Sequence, residues 1–441
     1  MKYSIVSTLI AWIFPTKQDR ADFRRFCKDI DARQDTEIIW SRYPQLLKHL
    51  QHEYSKRKLK VVFLNSENAK WVYQAIYEEF AKNPKFDVQV LITVREKLLK
   101  DKYKFLEYKK LAEKDYNFFK KLGFNVDYAF DFKKKEYINL EKFKPDIIFY
   151  EQPWDLCELQ SIKNTSRYAL PLYCAYGSCI TNGTNEYSEV FYRDVYTYFL
   201  DNKSIKKTLI EHGCKEDALV VCGQPKLDAY LKPINQDNII WQTKDKKRII
   251  YAPHHSFYKD SILGYGTFQW NYQFLYEFAK KHPEIEFILK PHPELRKAIV
   301  QHELMTISEM TQYFKNWENL PNAQIYEYGN YFDMFRTSDL LITDCNSFLY
   351  EYLPTKKPVI RLISENSVGH NSFGEKIIAG YYNASNIEEL NTLLELILFK
   401  NEDPLLSVRE RIIAEDLIQP EGGVAKFIEN YISGILGGNH A

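Results

Sequence analysis

Three short clusters in this sequence carry side chains suited to gripping a phosphate-bearing ligand. His254 and His255 follow Pro253; Lys290 and His292 flank a proline; Thr343, Asp344, Cys345, Asn346 and Ser347 form an unbroken polar run. A lysine offsets anionic charge, and an imidazole N–H donates to a phosphate oxygen. A helix opening at Asn346 or Ser347 aims its unpaired backbone N–H groups at the same kind of ligand. Glu351 lies four residues beyond Ser347 and shares its helical face. A carboxylate there can accept hydrogen bonds from ribose hydroxyls or can be a solvated helix residue. The plain alternative for the polar run is a helix capped by Asp344 or Asn346.

The elements around these clusters repeat one pattern. Leu340–Ile342 is a short apolar run of the kind a fully covered parallel strand shows. The polar run ends it, 348–353 continues as a helix that stops before Pro354, and 357–360 re-enters the sheet. Residues 248–252 and 284–289 are strands that end at Pro253 and Lys290, with a Gly-containing loop (263–268) and a helix (270–281) between them. A short strand at 323–326 and a helix at 331–336 precede Ser338. In a parallel sheet the three polar ends lie on one edge, where open α/β sheets bind ligands. Helices around 386–400, 404–417 and 423–436 close the chain, the last after Glu421, Gly422 and Gly423. That glycine pair reads as a second backbone approach to the ligand or as a turn.

The same β–α alternation fills the first half. Strands are predicted at 59–64, 88–94, 145–150, 171–175, 195–200 and 219–222, with helices at 69–80 and 104–122. Glu151–Asp155 and Tyr176–Ser178 stand at strand ends, and if the two domains face each other these residues hold the acceptor. Gly223–Asp228 closes this domain, and the charged connector 232–247 is the expected hinge. The boundaries are a helical region over 1–57, a Rossmann-like domain over 58–235 and a second over 236–441.

In the first region, Ile5, Leu9, Ile10, Trp12, Ile13 and Phe14 precede Lys17, Arg20, Arg24, Arg25 and Lys28. Such a segment can lie in an anionic membrane interface, or can pack on the protein's own surface. The apolar stretch 5–14 is about half the ~20 residues a spanning helix needs. It lacks the cleavage site of a signal peptide.

Across 441 residues, Lys plus Arg number 60 and Asp plus Glu 59, so global charge gives no argument for nucleic acid. Seven cysteines without a Cys-x-x-Cys pair indicate reduced thiols rather than a disulfide frame or zinc site. There is no Gly-x-x-x-x-Gly-Lys-Ser/Thr loop, no Gly-x-Gly-x-x-Gly after the first strand and no His-Glu-x-x-His. ATPase, dehydrogenase and zinc-protease readings therefore have no support.

Four stretches carry a resemblance: GQPKLD (223–228), YAPHHS (251–256), ILKPHPEL (288–295) and SDLLITDCNSFLYEYLPTKKPVIRL (338–362). As a set they resemble the CDP-glycerol glycerophosphotransferases of teichoic-acid and capsule synthesis, over roughly 145–430. The resemblance implies a GT-B fold: two Rossmann-like domains, an interdomain cleft and a nucleotide held mainly by the C-terminal domain. It places His292 at the family's catalytic or phosphate-binding histidine, Asn346 and Ser347 at its serine pair and Glu351 at its acidic position.

Two departures mark a divergent branch. Asn346 replaces the first serine, and Ala175-Tyr176-Gly177 stands where the family has Trp-His-Gly. Tyrosine, with a pKa near 10, is a poor base. His255, His254 or Glu151 then takes the acceptor proton, or no base is needed.

The expected function is transfer of a glycerol-phosphate or related alditol-phosphate unit from a CDP-activated donor, releasing CMP. The acceptor is a glycan or polyol-phosphate, lipid-linked if the protein works at the inner membrane leaflet. The expected location is the cytoplasm or the cytoplasmic membrane face. Lys290, Thr343, Asp344, Asn346, Ser347, Glu351, Gly223, Pro253 and Gly422 are the expected donor contacts. His292, His255, His254, Tyr176 and Glu151 are the catalytic candidates. No structural metal is expected, no cofactor is certain, and Mg²⁺ is left open. A nucleotide-sugar glycosyltransferase, a nucleotide-sugar 2-epimerase and an inactive glycan-binding protein are the alternatives.

Overall fold

The computed structural model describes the chain except residues 1, 69–70, 100–101, 179, 183–189, 237–238, 244, 259–260, 262, 328 and 439–441. Two compact units emerge. One comprises Met1–Gly177, Thr184–Lys226 and Gln419–Ala441, the other Ser178–Gly183 and Leu227–Ile418.

Among the described residues, the main sheet of the first unit has seven strands: β1 (Leu59–Asn65), β2 (Phe86–Ile92), β3 (Val126–Tyr128), β4 (Ile147–Tyr150), β5 (Leu170–Cys174), β6 (Thr197–Leu200) and β7 (Leu219–Val221). Their order is β3-β2-β1-β4-β5-β6-β7, all parallel. Every residue of β4 and β5 is buried, so these strands are continuous apolar runs rather than alternations. Phe63 and Phe149 are register partners, and their rings stack at 4.9 Å.

Against this sheet lies the long helix Lys17–Tyr54, and the short helix Tyr3–Ile10 packs on the long one. Thr16 and Asp19 form a capping box at the long helix. Asp31 accepts the Tyr3 and Ser4 N–H groups at 2.8 and 2.9 Å, which fixes the short helix to the long one. Thr36 donates to Asp194 at 2.6 Å and Trp40 to the Arg193 carbonyl at 2.7 Å. The long helix therefore packs on its own unit. At the tip, Tyr3, Ile5, Ile10, Trp12 and Ile13 stay in solvent, the last two 74% and 78% exposed.

The second unit carries β8 (Lys247–Ala252), β9 (Ile285–Leu289), β10 (Ala323–Ile325), β11 (Leu340–Thr343), β12 (Val359–Leu362) and β13 (Tyr382–Ala384). The order is β10-β9-β8-β11-β12-β13, again all parallel. Apolar layers on both faces bury it. Arg409 is fully buried and donates to the carbonyls of Lys356 and Gly380, binding the helix Leu406–Asp416 to this unit.

Several elements differ from the sequence reading. The helix expected over 69–80 is Gln74–Lys82, and residues 69–70 lie outside the described residues. β3 and β13, three residues each, are too short for a periodic signal. Residues 419–441 were expected with the second domain, but the helix Val424–Leu436 belongs to the first unit. There Glu429 accepts from Asn83 at 2.6 Å, and the Ile435 carbonyl accepts from Gln51 at 2.7 Å. An amphipathic pattern shows that a helix packs, not on which sheet.

Candidate active site

In the second sheet the chain runs from central β8 out to β10, then returns to β11 on the other side of β8. The β8/β11 junction is thus a topological switch point, where such sheets bind ligands. The three polar clusters follow the carboxyl ends of β8, β9 and β11. Lys290 N–H donates to the Tyr251 carbonyl at 2.7 Å, and His292 N–H to that of Pro253 at 3.0 Å. Thr343 Oγ1 donates to the Ala252 carbonyl at 2.7 Å. Pro253 and Thr343 therefore serve as framework, holding the ends together.

This convergence stacks three imidazoles. The ring centroid of His255 lies 4.3 Å from that of His254 and 4.2 Å from that of His292, and His254 and His292 are 4.8 Å apart. Burial lowers the pKa of all three, that of His292 to about 3. At neutral pH they are uncharged.

The partners of two rings fix their tautomers. Ser256 Oγ accepts the N–H groups of Tyr265 and Gly266 at 3.1 and 3.2 Å, and lies 2.8 Å from His254 Nδ1. The hydroxyl proton is left to donate to Nδ1. Ser256 N–H also donates to Nδ1, at 3.3 Å. On His292, Nδ1 accepts the Glu294 N–H at 3.1 Å. With Nδ1 receiving N–H donors, each neutral ring carries its proton on Nε2. His254 and His292 are thus donors with no lone pair left for a base, which corrects the reading of His254 as a candidate base. Among the described residues, His255 Nδ1 is buried without a partner.

The same chemistry bears on metals. A ring nitrogen from each histidine lies within 4.8 Å of the others, close enough for a metal ion to be considered. A metal on Nε2 would move the proton to Nδ1, against the N–H groups pointing there. Magnesium prefers oxygen ligands. The trio suits an anion better than a cation.

Asp344 departs from its expected role. Its Oδ1 accepts the His254 N–H at 2.6 Å, and its Oδ2 accepts Thr267 N–H and Oγ1 at 2.6 and 2.8 Å. Burial pushes its pKa up to about 6. The carboxylate is a brace joining the ends of β11 and β8 to the helix Phe268–Lys281, rather than a phosphate contact.

The helix Asn346–Tyr352 has Cys345 at its N-cap and no side-chain capping bond. The ordinary capped helix is thus not what forms. Asn346 Oδ1 lies 3.3 Å from His370 Nε2, while its Nδ2 is buried without a partner among the described residues. Ser347 Oγ lies 3.3 Å from Cys345 Sγ.

Lys290 is 7% exposed. Its Nζ lies 5.0 Å from the Tyr331 ring centroid, 5.4 Å from that of Tyr326 and 5.8 Å from that of Phe348. Burial lowers its pKa to about 8, so it stays charged at neutral pH, aided by the aromatic faces. Glu351 is buried and accepts from Tyr331 OH at 2.6 Å. It sits under the aromatic cage rather than as an open carboxylate.

The remaining candidates belong to the first unit. Glu151 accepts Ser66 N–H and Oγ, both at 2.7 Å, where β1 and β4 diverge. The Tyr176 ring meets that of Trp154 edge-on at 6.3 Å. Gly223, two residues beyond β7, has φ +98°, and its N–H donates to the Leu200 carbonyl. Gly422, φ +77°, precedes the C-terminal helix. Gly223 and Gly422 thus lie outside the unit that carries the histidines. Ser256, Thr267, Tyr331 and His370 complete the site and were not singled out from the sequence. Ser256 adjoins the histidine pair, a usable signal; the others come from separate loops.

Residues 180–367, which span all three clusters, match the family described as CDP-glycerol:poly(glycerophosphate) glycerophosphotransferase. The chain is 28% identical over 155 residues to the teichoic acid ribitol-phosphate polymerase TarK of Staphylococcus aureus, covering 34% of this chain and 28% of that protein. It is 24% identical over 207 residues to the minor teichoic acid biosynthesis protein GgaB of Bacillus subtilis, covering 40% and 21%. The chain thus spans about a quarter of the length of these relatives.

Among solved structures, a protein assigned as a UDP-N-acetylglucosamine 2-epimerase from Listeria monocytogenes aligns with TM-score 0.57 and 14% identity, over 87% of this chain and 97% of that one. The UDP-GlcNAc 2-epimerase of Neisseria meningitidis aligns with TM-score 0.52 and 16% identity, over 85% and 99%. Identity this low shows a shared GT-B fold and nothing of chemistry. Motifs and matched segment agree: over residues 180–367 the chain is similar to the CDP-glycerol glycerophosphotransferase family.

Proposed function

We propose that this chain transfers a polyol-phosphate unit, glycerol phosphate or a related alditol phosphate, from a CDP-linked donor to a glycan or polyol-phosphate acceptor. One observation carries the reading: an uncapped helix start at Asn346 shares the β8/β11 switch point with Lys290 and the Nε2–H of His292. These groups suit a diphosphate, and they lie inside the segment that matches the family.

The acceptor hydroxyl oxygen attacks the distal phosphorus, and the bond from that phosphorus to the CMP oxygen breaks. CMP leaves with the electron pair. Lys290 offsets its charge, and His292 donates a hydrogen bond to the departing oxygen. The acceptor proton goes to a base other than His254 or His292, whose lone pairs are occupied.

The exposed Trp12 and Ile13, with Lys17, Arg24 and Arg25 nearby, suit an anionic bilayer surface. That placement fits a lipid-linked acceptor. No helix among the described residues is long and apolar enough to cross a membrane.

The test is a nucleotide-release panel. Incubation with CDP-glycerol, CDP-ribitol and UDP-sugars is expected to yield CMP from a CDP-linked donor. UDP release from a UDP-sugar would replace this reading with a glycosyltransferase or an epimerase.

A further inference from the structure

We propose that His254 is a second neutral N–H donor to the donor diphosphate, and that Ser256 is the positioning residue that holds it in that tautomer. This rests on the diphosphate reading above and extends it to a residue whose usual assignment would be base or metal ligand.

Ser256 is fully buried. Its oxygen accepts the N–H groups of Tyr265 and Gly266, which leaves its own proton for His254 Nδ1 at 2.8 Å. His254 N–H is in turn held by Asp344. Ring and backbone N–H are therefore both fixed, which leaves Nε2–H to make a bond with a ligand. Placing a charge on the ring would set a second proton on Nδ1 against the Ser256 N–H. His255 and His292, the titratable rings packed on His254, are themselves neutral. Lys290, charged, follows the next strand. The site thus adds a neutral donor beside a cation, which grips an anion without raising cation–cation repulsion.

Substitution separates the roles by shape. A glutamine amide places an N–H near the position of Nε2–H, an asparagine amide near Nδ1. The probe is inorganic pyrophosphate, titrated into the full chain by calorimetry at pH 7. His254→Gln is expected to bind within about threefold of the parent. His254→Asn and His254→Ala are expected to bind about tenfold or more weakly, the worth of one charge-assisted hydrogen bond. Nitrogen-15 histidine spectra are expected to show the His254 proton on Nε2 and to shift it when pyrophosphate is added. Ser256→Ala keeps only the longer backbone N–H bond to Nδ1, at 3.3 Å, and is expected to show a detectable Nδ1-protonated fraction, which Ser256→Thr removes.

A His254 proton on Nδ1, a charged ring at pH 7, or unchanged pyrophosphate affinity in His254→Ala overturns the donor role. A parental tautomer in folded Ser256→Ala overturns the role of Ser256. Pyrophosphate carries no nucleotide and needs no acceptor. A chain that binds it through His254 yet releases no CMP leaves this inference standing and removes the transferase reading.

Discussion

The carboxylate of Asp344 accepts the backbone N–H of His254 at 2.6 Å, so one residue at the end of β11 fixes the loop that leaves β8. Its other oxygen holds Thr267, at the start of a third element. Asp344→Asn turns one acceptor into an amide that faces N–H donors. Leaving a buried donor unmet costs about 1–3 kcal/mol. Urea denaturation is expected to show a loss of that size, with donor affinity falling too. Tighter donor binding in the asparagine variant would instead mean that the carboxylate faces the phosphates and repels them.

Lys290 gives the site a pH signature. Burial lowers its pKa to about 8, and only the charged form attracts an anion. Affinity for the donor is expected to be flat below pH 8. It then weakens as pH rises through 8, by up to about tenfold per unit for one proton. Lys290→Met lowers affinity and flattens the profile. Calorimetry between pH 7 and 9.5 reads both, and a parent profile without a break near 8 contradicts the role.

His292 gives the fold a second signature. Its pKa is about 3 in the folded protein, against an ordinary value of about 6.5. Below pH 6.5 the unfolded chain takes up a proton that the folded ring refuses. Its contribution to stability is thus complete above 6.5 and is lost as pH falls toward 3, by about 1.4 kcal/mol per unit. His255 and Lys290 face the ring and reinforce the sign. The slope between pH 7 and 5 is expected to be shallower in His292→Gln. His292→Ala is expected to stay folded at pH 7 and to lose turnover.

How much of this the sequence showed depends on the physics behind each signal. β4, β8 and β11 were legible because a strand buried on both faces is an unbroken apolar run. That the loops after β8, β9 and β11 leave one edge followed from the strands being parallel. The role of Asp344 did not, because a carboxylate that braces and one that binds have the same sequence. Glu351 was read as open from its helical spacing, but Tyr331 comes from another loop and covers it. The tautomers of His254 and His292 depend on N–H groups two residues away and, for His254, on the Ser256 hydroxyl, whose directions only the folded loops set.

At the N-terminus, Trp12 and Ile13 stay exposed although the helix that follows packs on the first unit. A Trp12→Ser, Ile13→Ser double variant is expected to reduce sedimentation with phosphatidylglycerol vesicles about tenfold or more, since burying each side chain is worth about 1.5–3 kcal/mol. Added salt weakens the parent's binding. Equal binding to neutral phosphatidylcholine vesicles would contradict the part given to Lys17, Arg24 and Arg25.

The central claim is that a phosphorus–oxygen bond of a CDP-linked donor is exchanged for one to an acceptor hydroxyl. Phosphorus-31 spectra of the chain with CDP-glycerol and a polyol-phosphate acceptor test it most directly. The account expects the two diphosphate signals to disappear together, replaced by CMP and a new phosphodiester, only when acceptor is present. Persistence of the diphosphate with every CDP-linked donor and acceptor tried, while a UDP-sugar is consumed, would contradict it.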